Sequence, residues 1–211
     1  AVVSELCRYK PKVIHVVDIS ENNLVELIRS IRSGTYEIDF ELKTFVIDIV
    51  SNQFLKFIDT YSYDNIFNLA AIKHVRSERD FFSLARMISV NIISPGLIMK
   101  QLNHRKDISS FFSVSTDKAS SPENAMGASK RGMEEALISQ VNDNINLSFA
   151  RFANIAFSDG SLLNGFENRL KLKPVKERAH HGLTTRTTAA KPGGRTLASS
   201  ILLSTHVLLL R

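Results

Sequence analysis

Short apolar runs alternate with amphipathic stretches from Val13 to Phe152. Val13-Ile14-His15-Val16-Val17 is a β-branched run that closes on Asp18. Leu24, Leu27, Ile28 and Ile31 then recur at helical spacing, with Ser20 as the expected N-cap and Gly34 as the stop. Phe45-Val46-Ile47 reads as a second strand ending at Asp48, followed by a helix around Gln53–Ile58. Asn65–Leu69 reads as a third strand. A long helical region covers Phe81–Leu102, interrupted or restarted at Ser94-Pro95-Gly96. Ile108–Val114 gives a fourth strand, Glu123–Val141 a helix and Leu147–Phe152 a further strand. Strands separated by helices at this spacing predict βαβ units in an α/β fold with a doubly wound parallel sheet. The pattern stops after Pro174. Lys176–Arg195 is rich in Arg, Thr, His and Gly and has no apolar period. The last apolar run, Ile201–Leu210, is broken by Ser204, Thr205 and His206, and is expected to be poorly ordered.

Composition changes this picture in one place. The net charge of +6 is confined to the tail: Lys171–Arg211 holds eight Lys or Arg and one acid, whereas the first 170 residues hold nineteen bases and twenty acids. The basic balance therefore belongs to the tail, and a nucleic-acid or acidic-lipid partner is not expected for the fold. The single cysteine, Cys7, fits a small buried side chain in a reducing compartment. His180-His181 lacks a third ligand at helical or hairpin spacing, so no metal site is expected. No signal peptide and no membrane span of about 18 apolar residues is visible, and the chain is expected in the cytoplasm.

In a doubly wound sheet, ligands bind beyond the carboxyl ends of the strands. Here those positions are Asp18, Asp48, Ala70-Ala71, Ser115-Thr116-Asp117 and Arg151-Phe152-Ala153-Asn154. An acid in the place of Asp18 accepts hydrogen bonds from an adenine ribose, which favours NAD over NADP weakly; Asp48 falls near the adenine edge. The Gly-x-Gly-x-x-Gly loop of such folds is expected about 20 residues before Asp18. The chain instead begins Ala1-Val2-Val3-Ser4-Glu5-Leu6-Cys7-Arg8, so the first strand and the phosphate-binding loop are expected to be missing.

Asn68-Leu69-Ala70-Ala71-Ile72-Lys73-His74-Val75 resembles the third-strand motif of extended short-chain dehydrogenase/reductases, and its Lys-His-Val ending resembles that of UDP-N-acetylglucosamine 4,6-dehydratases of the polysaccharide-biosynthesis family. Ser115-Thr116-Asp117-Lys118-Ala119, Met126-Gly127-Ala128-Ser129-Lys130 and Arg151-Phe152-Ala153-Asn154 carry the same resemblance, with Ala153 in place of a usual glycine. The resemblance implies a dehydratase that oxidises C4 of a UDP-N-acetyl-hexosamine, eliminates water across C5 and C6, and returns the hydride to C6, for surface polysaccharide or glycan synthesis. It implies Asp117 as the acid at C6 and Lys118 as the base at C5, with burial shifting both groups toward the neutral forms those roles need. Met126 stands where most relatives have tyrosine, as in one long membrane-associated branch. This leaves Thr116, Lys118 or a water as the C4 proton acceptor.

The implied catalytic set is Thr116, Asp117, Lys118, Met126 and Lys130. The implied contacts to NAD or NADP, tightly bound and recycled, are Asp18, Ser20, Asp48, Ile49, Leu69, Ala70, Ala71, Lys73, Asn91, Val114, Ser115 and Lys130. The resemblance implies that Lys130 holds the nicotinamide ribose and that Asn91 supports Lys130 through water. Substrate contacts fall on Lys73, Asn154, Ser158 and Ser161. By this reading residues 1–155 form the dinucleotide-binding domain, 156–175 begin the substrate-binding region, and 176–211 are an unrelated tail. The intact family member is expected to be a homo-oligomer, in the cytoplasm or on the cytoplasmic side of a membrane. Two other readings stand beside it: a nucleotide-sugar epimerase, which uses the same hydride step without elimination, and a non-catalytic remnant of such an enzyme.

Overall fold

The computed structural model describes residues 2–34, 39–73, 78–153 and 207–210. Helix α1 (Val2–Cys7) leads into β1 (Val13–Asp18), α2 (Glu21–Arg32) and β2 (Glu41–Val46). Then come α3 (Asn52–Thr60), β3 (Asn65–Asn68), α4 (Phe81–Ile88) and α5 (Ser94–Leu102). The chain continues through β4 (Ser110–Thr116), α6 (Ala125–Gln140) and β5 (Asn146–Phe152), and ends in β6 (Val207–Leu210).

Local chemistry explains the starts of these helices. Ser20, Ser51, Asp80 and Asn124 each stand in extended backbone and accept an N–H from the first turn of α2, α3, α4 and α6. Ser20 is the cap that the sequence indicated. Between α4 and α5 the chain takes a π-helical turn, Ser89–Ile93, so the helical region is continuous from Phe81 to Leu102. Pro95 offers no N–H to the carbonyl of Asn91, which favours a change of helical register at this point. At 22 residues and a mean hydropathy of 1.5, this stretch meets the length and composition of a membrane span, contrary to the expectation from sequence. Its buried polar side chains, Asn91 and Ser94, bond to the backbone of Ile72 and Ile49.

The sheet order is β2-β1-β6-β3-β4-β5. β1 pairs parallel with β2, and β3, β4 and β5 pair parallel with one another. β6 runs antiparallel to both β1 and β3, with Val207 opposite Val17 and Asn68. The carboxyl ends of all five parallel strands therefore share one edge of the sheet. In the doubly wound order 3-2-1-4-5-6 the third place from this side belongs to the first strand. Here residues 207–210 fill it, in the opposite direction.

This corrects the reading of the final apolar run as poorly ordered, as far as Val207–Leu210 is concerned. The four side chains are 1, 0, 0 and 7% exposed. Val207 and Leu209 enter the core on one face, with Phe54, Ile66, Val90 and Met133. Leu208 and Leu210 enter the core on the other, with Val3, Ile14, Val16 and Ile31. Alternate side chains of an extended strand point to opposite faces, and a central strand is apolar on both. Among the described residues, β6 is the only strand linking β2-β1 to β3-β4-β5.

A buried histidine marks the β1–β2 side. His15 is 1% exposed and lies in a cage of Phe45, Phe57, Tyr61 and Tyr63. Its Nδ1 is 2.8 Å from the Tyr63 hydroxyl and its Nε2 is 3.3 Å from Glu41 Oε1. The neutral tautomer that donates from Nε2 and accepts at Nδ1 satisfies both contacts. Burial pushes the imidazole below its ordinary value, opposed by the Glu41 carboxylate. Below the ordinary value of about 6.5 the unfolded chain thus binds a proton that the folded chain resists, and stability falls as pH falls through that range. The expected result is a urea midpoint that declines on passing below about pH 6.5, with a shallower decline in His15→Leu; equal slopes in both proteins would contradict it.

Candidate active site

β4 delivers the central chemistry. At its end Thr116 caps a short 3-10 turn, Asp117–Ala119. The Thr116 hydroxyl donates to Asp117 Oδ1 at 2.9 Å, and the same oxygen accepts the Lys118 backbone N–H at 2.9 Å and Lys118 Nζ at 3.2 Å. The carboxyl of Asp117 is held below its ordinary value, chiefly by the Thr116 hydroxyl and then by Lys118. Both side chains are substantially open, 50% exposed for Asp117 and 41% for Lys118. The expected burial of this pair is therefore not found: the carboxylate has three donors and little desolvation, so its acidity moves toward the ionised form.

Helix α6 packs onto this turn. Asn124 Oδ1 accepts the Gly127 N–H at 2.8 Å. A Cβ on Gly127 would stand 2.8 Å from the Lys118 carbonyl oxygen, closer than side-chain carbons approach. Glycine here lets the helix meet the turn backbone. Gly127→Ala is expected to push Lys118 out of place and lower turnover by about 100-fold, the cost of misplacing a reacting group by about 1 Å, with the thermal transition retained; a variant of unchanged turnover would show that the close approach does not matter.

Met126 is buried, and its backbone N–H donates to Glu78 Oε1 at 3.3 Å. Lys130, in the second turn, is 4% exposed. Its ammonium donates to the Val114 carbonyl at 2.9 Å and lies 3.7 Å from Met133 Sδ. Burial brings Lys130 down to about 8, opposed by Glu134. Behind it Asn68 Nδ2 donates to Ser113 Oγ at 3.1 Å, and that hydroxyl donates to Met133 Sδ at 3.2 Å. Asn91, in the π turn, accepts the Ile72 N–H at 2.9 Å and donates to the Ile72 carbonyl and to Ser129 Oγ. It thus ties the loop after β3, which carries Lys73, to the helix that carries Met126 and Lys130.

The remaining predicted positions lie at other strand ends. Asp18 is fully buried at the end of β1 and accepts the Ser20 N–H at 2.5 Å. Asp48 lies two residues past β2, which runs earlier than expected. Its carboxylate accepts two bonds from Arg86, at 2.9 and 2.8 Å, and one from the Val50 N–H. Ile49, Leu69, Ala70, Val114 and Ser115 are buried in this edge, and Ala71 and Lys73 are partly exposed. Asn154, Ser158 and Ser161 lie outside the described residues. Sequence reasoning passed over Glu78 and Glu134. Glu134 was accessible, because it sits one helical turn from Lys130 on the same face.

A mostly parallel doubly wound sheet whose β4 ends in an acid–lysine pair, beside a helix with a buried lysine, defines a Rossmann-like protein of the extended short-chain dehydrogenase/reductase type. The polysaccharide biosynthesis protein family matches residues 1–177, and the chain belongs to it. It is 29% identical over 175 residues to the capsular polysaccharide biosynthesis protein CapD of Staphylococcus aureus, covering 80% of this chain and 28% of that protein. It is 31% identical over 112 residues to a UDP-glucose 4-epimerase of Rickettsia bellii, covering 51% of this chain and 32% of that protein. The chain thus spans about half, or less, of the length of the curated relatives it matches. Among solved structures, Pen from Bacillus thuringiensis superposes with a TM-score of 0.69 at 26% identity, covering 81% of this chain and 51% of that one. ElxO with NADP bound superposes at 0.62 and 15% identity, covering 81% and 73%, a likeness of fold.

Proposed function

We propose that this chain is the dinucleotide-binding part of a nucleotide-sugar 4,6-dehydratase acting on a UDP-N-acetyl-hexosamine, in the synthesis of a surface polysaccharide or glycan. The observation that carries this reading is the Asp117–Lys118 pair, with Nζ 3.2 Å from Oδ1, at the carboxyl end of β4. Elimination of water needs an acid and a base working on one bond. A C4 epimerase needs a proton acceptor at the C4 hydroxyl and no acid at C6, so the relative named UDP-glucose 4-epimerase favours a second reading that leaves Asp117 without a task.

The residues present fit both ends of NAD or NADP. Asp18 closes β1, the position where an adenine ribose is read in such folds, and Lys130 is a buried cation bonded to the Val114 carbonyl of β4. The sheet position from which a Rossmann pyrophosphate loop issues is held by β6 running the other way. When bound, the dinucleotide supplies a hydride acceptor that takes hydride from C4 and gives it back at C6.

The chain's own residues handle the protons. Asp117, held toward its ionised form, shares a hydrogen bond with Lys118 Nζ. One proton moved along their hydrogen bond gives the carboxylic acid and the amine that elimination requires. Lys118 then takes the C5 proton, Asp117 gives its proton to the departing C6 hydroxyl, and water leaves. This step restores the original ion pair. Lys118 next delivers a proton to C5 as hydride returns to C6, and the proton released from the C4 hydroxyl makes good that loss. In heavy water the product is expected to carry one deuteron at C5, read by proton NMR. A product free of deuterium, or one altered only in configuration at C4, would favour the epimerase.

A further inference from the structure

The second buried charge of α6 has no part in that mechanism. Glu134 is 4% exposed, unusual for a carboxylate, and lies one turn beyond Lys130 on the buried face. Arg151, in β5, grips it with two bonds: Nε to Oε1 at 3.0 Å and a terminal nitrogen to Oε2 at 2.6 Å. Arg151 itself is 44% exposed. The carboxyl of Glu134 is held below its ordinary value, first by Arg151, with smaller contributions from the Ser115 hydroxyl and from Arg131 on the same helix. Glu134 thus connects two elements: the helix with Lys130 and the strand that opens the Arg151-Phe152-Ala153-Asn154 segment.

We propose that Glu134 is a positioning residue for Lys130: its clamped, buried carboxylate balances the Lys130 ammonium and keeps it charged and seated on the Val114 carbonyl, facing the cofactor edge. A buried ammonium with one neutral acceptor is costly, and a carboxylate one helical turn away offsets that cost. Among the described residues the charged group acting on Lys130 is Glu134 on its own helix, and β4 presents the Val114 carbonyl; Arg151 on β5 and Arg131 on α6 act on Glu134. Arg151 sets how much of the Glu134 charge Lys130 experiences, so the state of the β5 end is transmitted to the lysine. The consequence for dinucleotide binding rests on the reading of Lys130 as the ribose contact.

The test follows the Lys130 side chain by NMR in the full chain with isotope-labelled lysine, alongside NAD titrations across pH. Glu134→Gln keeps the shape and removes the charge. It is expected to move the Lys130 titration midpoint downward from about 8 by about one pH unit, and so to weaken NAD binding most between about pH 7 and 8 while sparing it near pH 6. Glu134→Asp is expected to restore the midpoint. Should Glu134→Gln fail to fold, Arg151→Met leaves Glu134 charged and uncompensated, and the midpoint is expected to rise. An unmoved midpoint in a folded variant overturns the proposal. A moved midpoint with NAD binding indifferent to it upholds the coupling and overturns the ribose role of Lys130.

Discussion

Asp117→Asn is expected to lower turnover of a UDP-N-acetyl-hexosamine by about 10²- to 10⁴-fold and to leave dinucleotide affinity unchanged. The amide still accepts from the Thr116 hydroxyl and the Lys118 N–H, so the turn at Asp117–Ala119 keeps its geometry. It has no proton for the C6 hydroxyl, and the Asp117–Lys118 proton exchange is lost. Stability should hardly change, because an exposed ion pair screened by solvent contributes little. Steady-state kinetics with a parallel dinucleotide titration separates the two effects. Wild-type turnover in this variant would remove Asp117 from the chemistry.

The second large effect concerns the sheet. Leu209→Ala in β6 is expected to cost about 2–5 kcal/mol of stability, and Leu209→Asp to prevent folding by placing an unpaired charge in the core. Ile138→Ala, on the exposed side of α6 where Ile138 is 62% exposed, is expected to change stability by at most about 0.5 kcal/mol. Urea midpoints of the three variants decide the matter. If residues 207–210 did not stand between β1 and β3, Leu209→Ala would match the Ile138→Ala control.

The residues that announced themselves in sequence are those whose roles are local. Ser20 caps the next helix within one turn, and Val13–Val17 is apolar enough to be a strand in any neighbourhood. β2 was placed too late because its start is an edge: Glu41 and Lys43 face solvent there, and only Phe45 onward reads as apolar. β6 was hidden for a different reason. Val-Leu-Leu-Leu has no strand period, since all four side chains are buried, and its place depends on a slot between β1 and β3, whose paired residues lie 139 to 196 positions earlier in the chain. The site divides in the same way. Thr116, Asp117, Lys118, Met126 and Lys130 were legible as a motif, and the structure brings them to β4 and α6. The protonation state of Asp117 was not legible, because it depends on exposure and on how many donors converge on one oxygen. The Glu134–Arg151 clamp joins residues 17 apart on different elements, and only the spacing from Lys130 hinted at it.

Elimination, and not epimerisation alone, is the reaction proposed for this site. Its most direct test is the mass of the product formed when the purified chain is incubated with UDP-N-acetylglucosamine and NAD or NADP. The expected product is a nucleotide sugar lighter by one water, the 4-keto-6-deoxy form. A product of unchanged mass with inverted C4, or neither product nor bound dinucleotide, would contradict it.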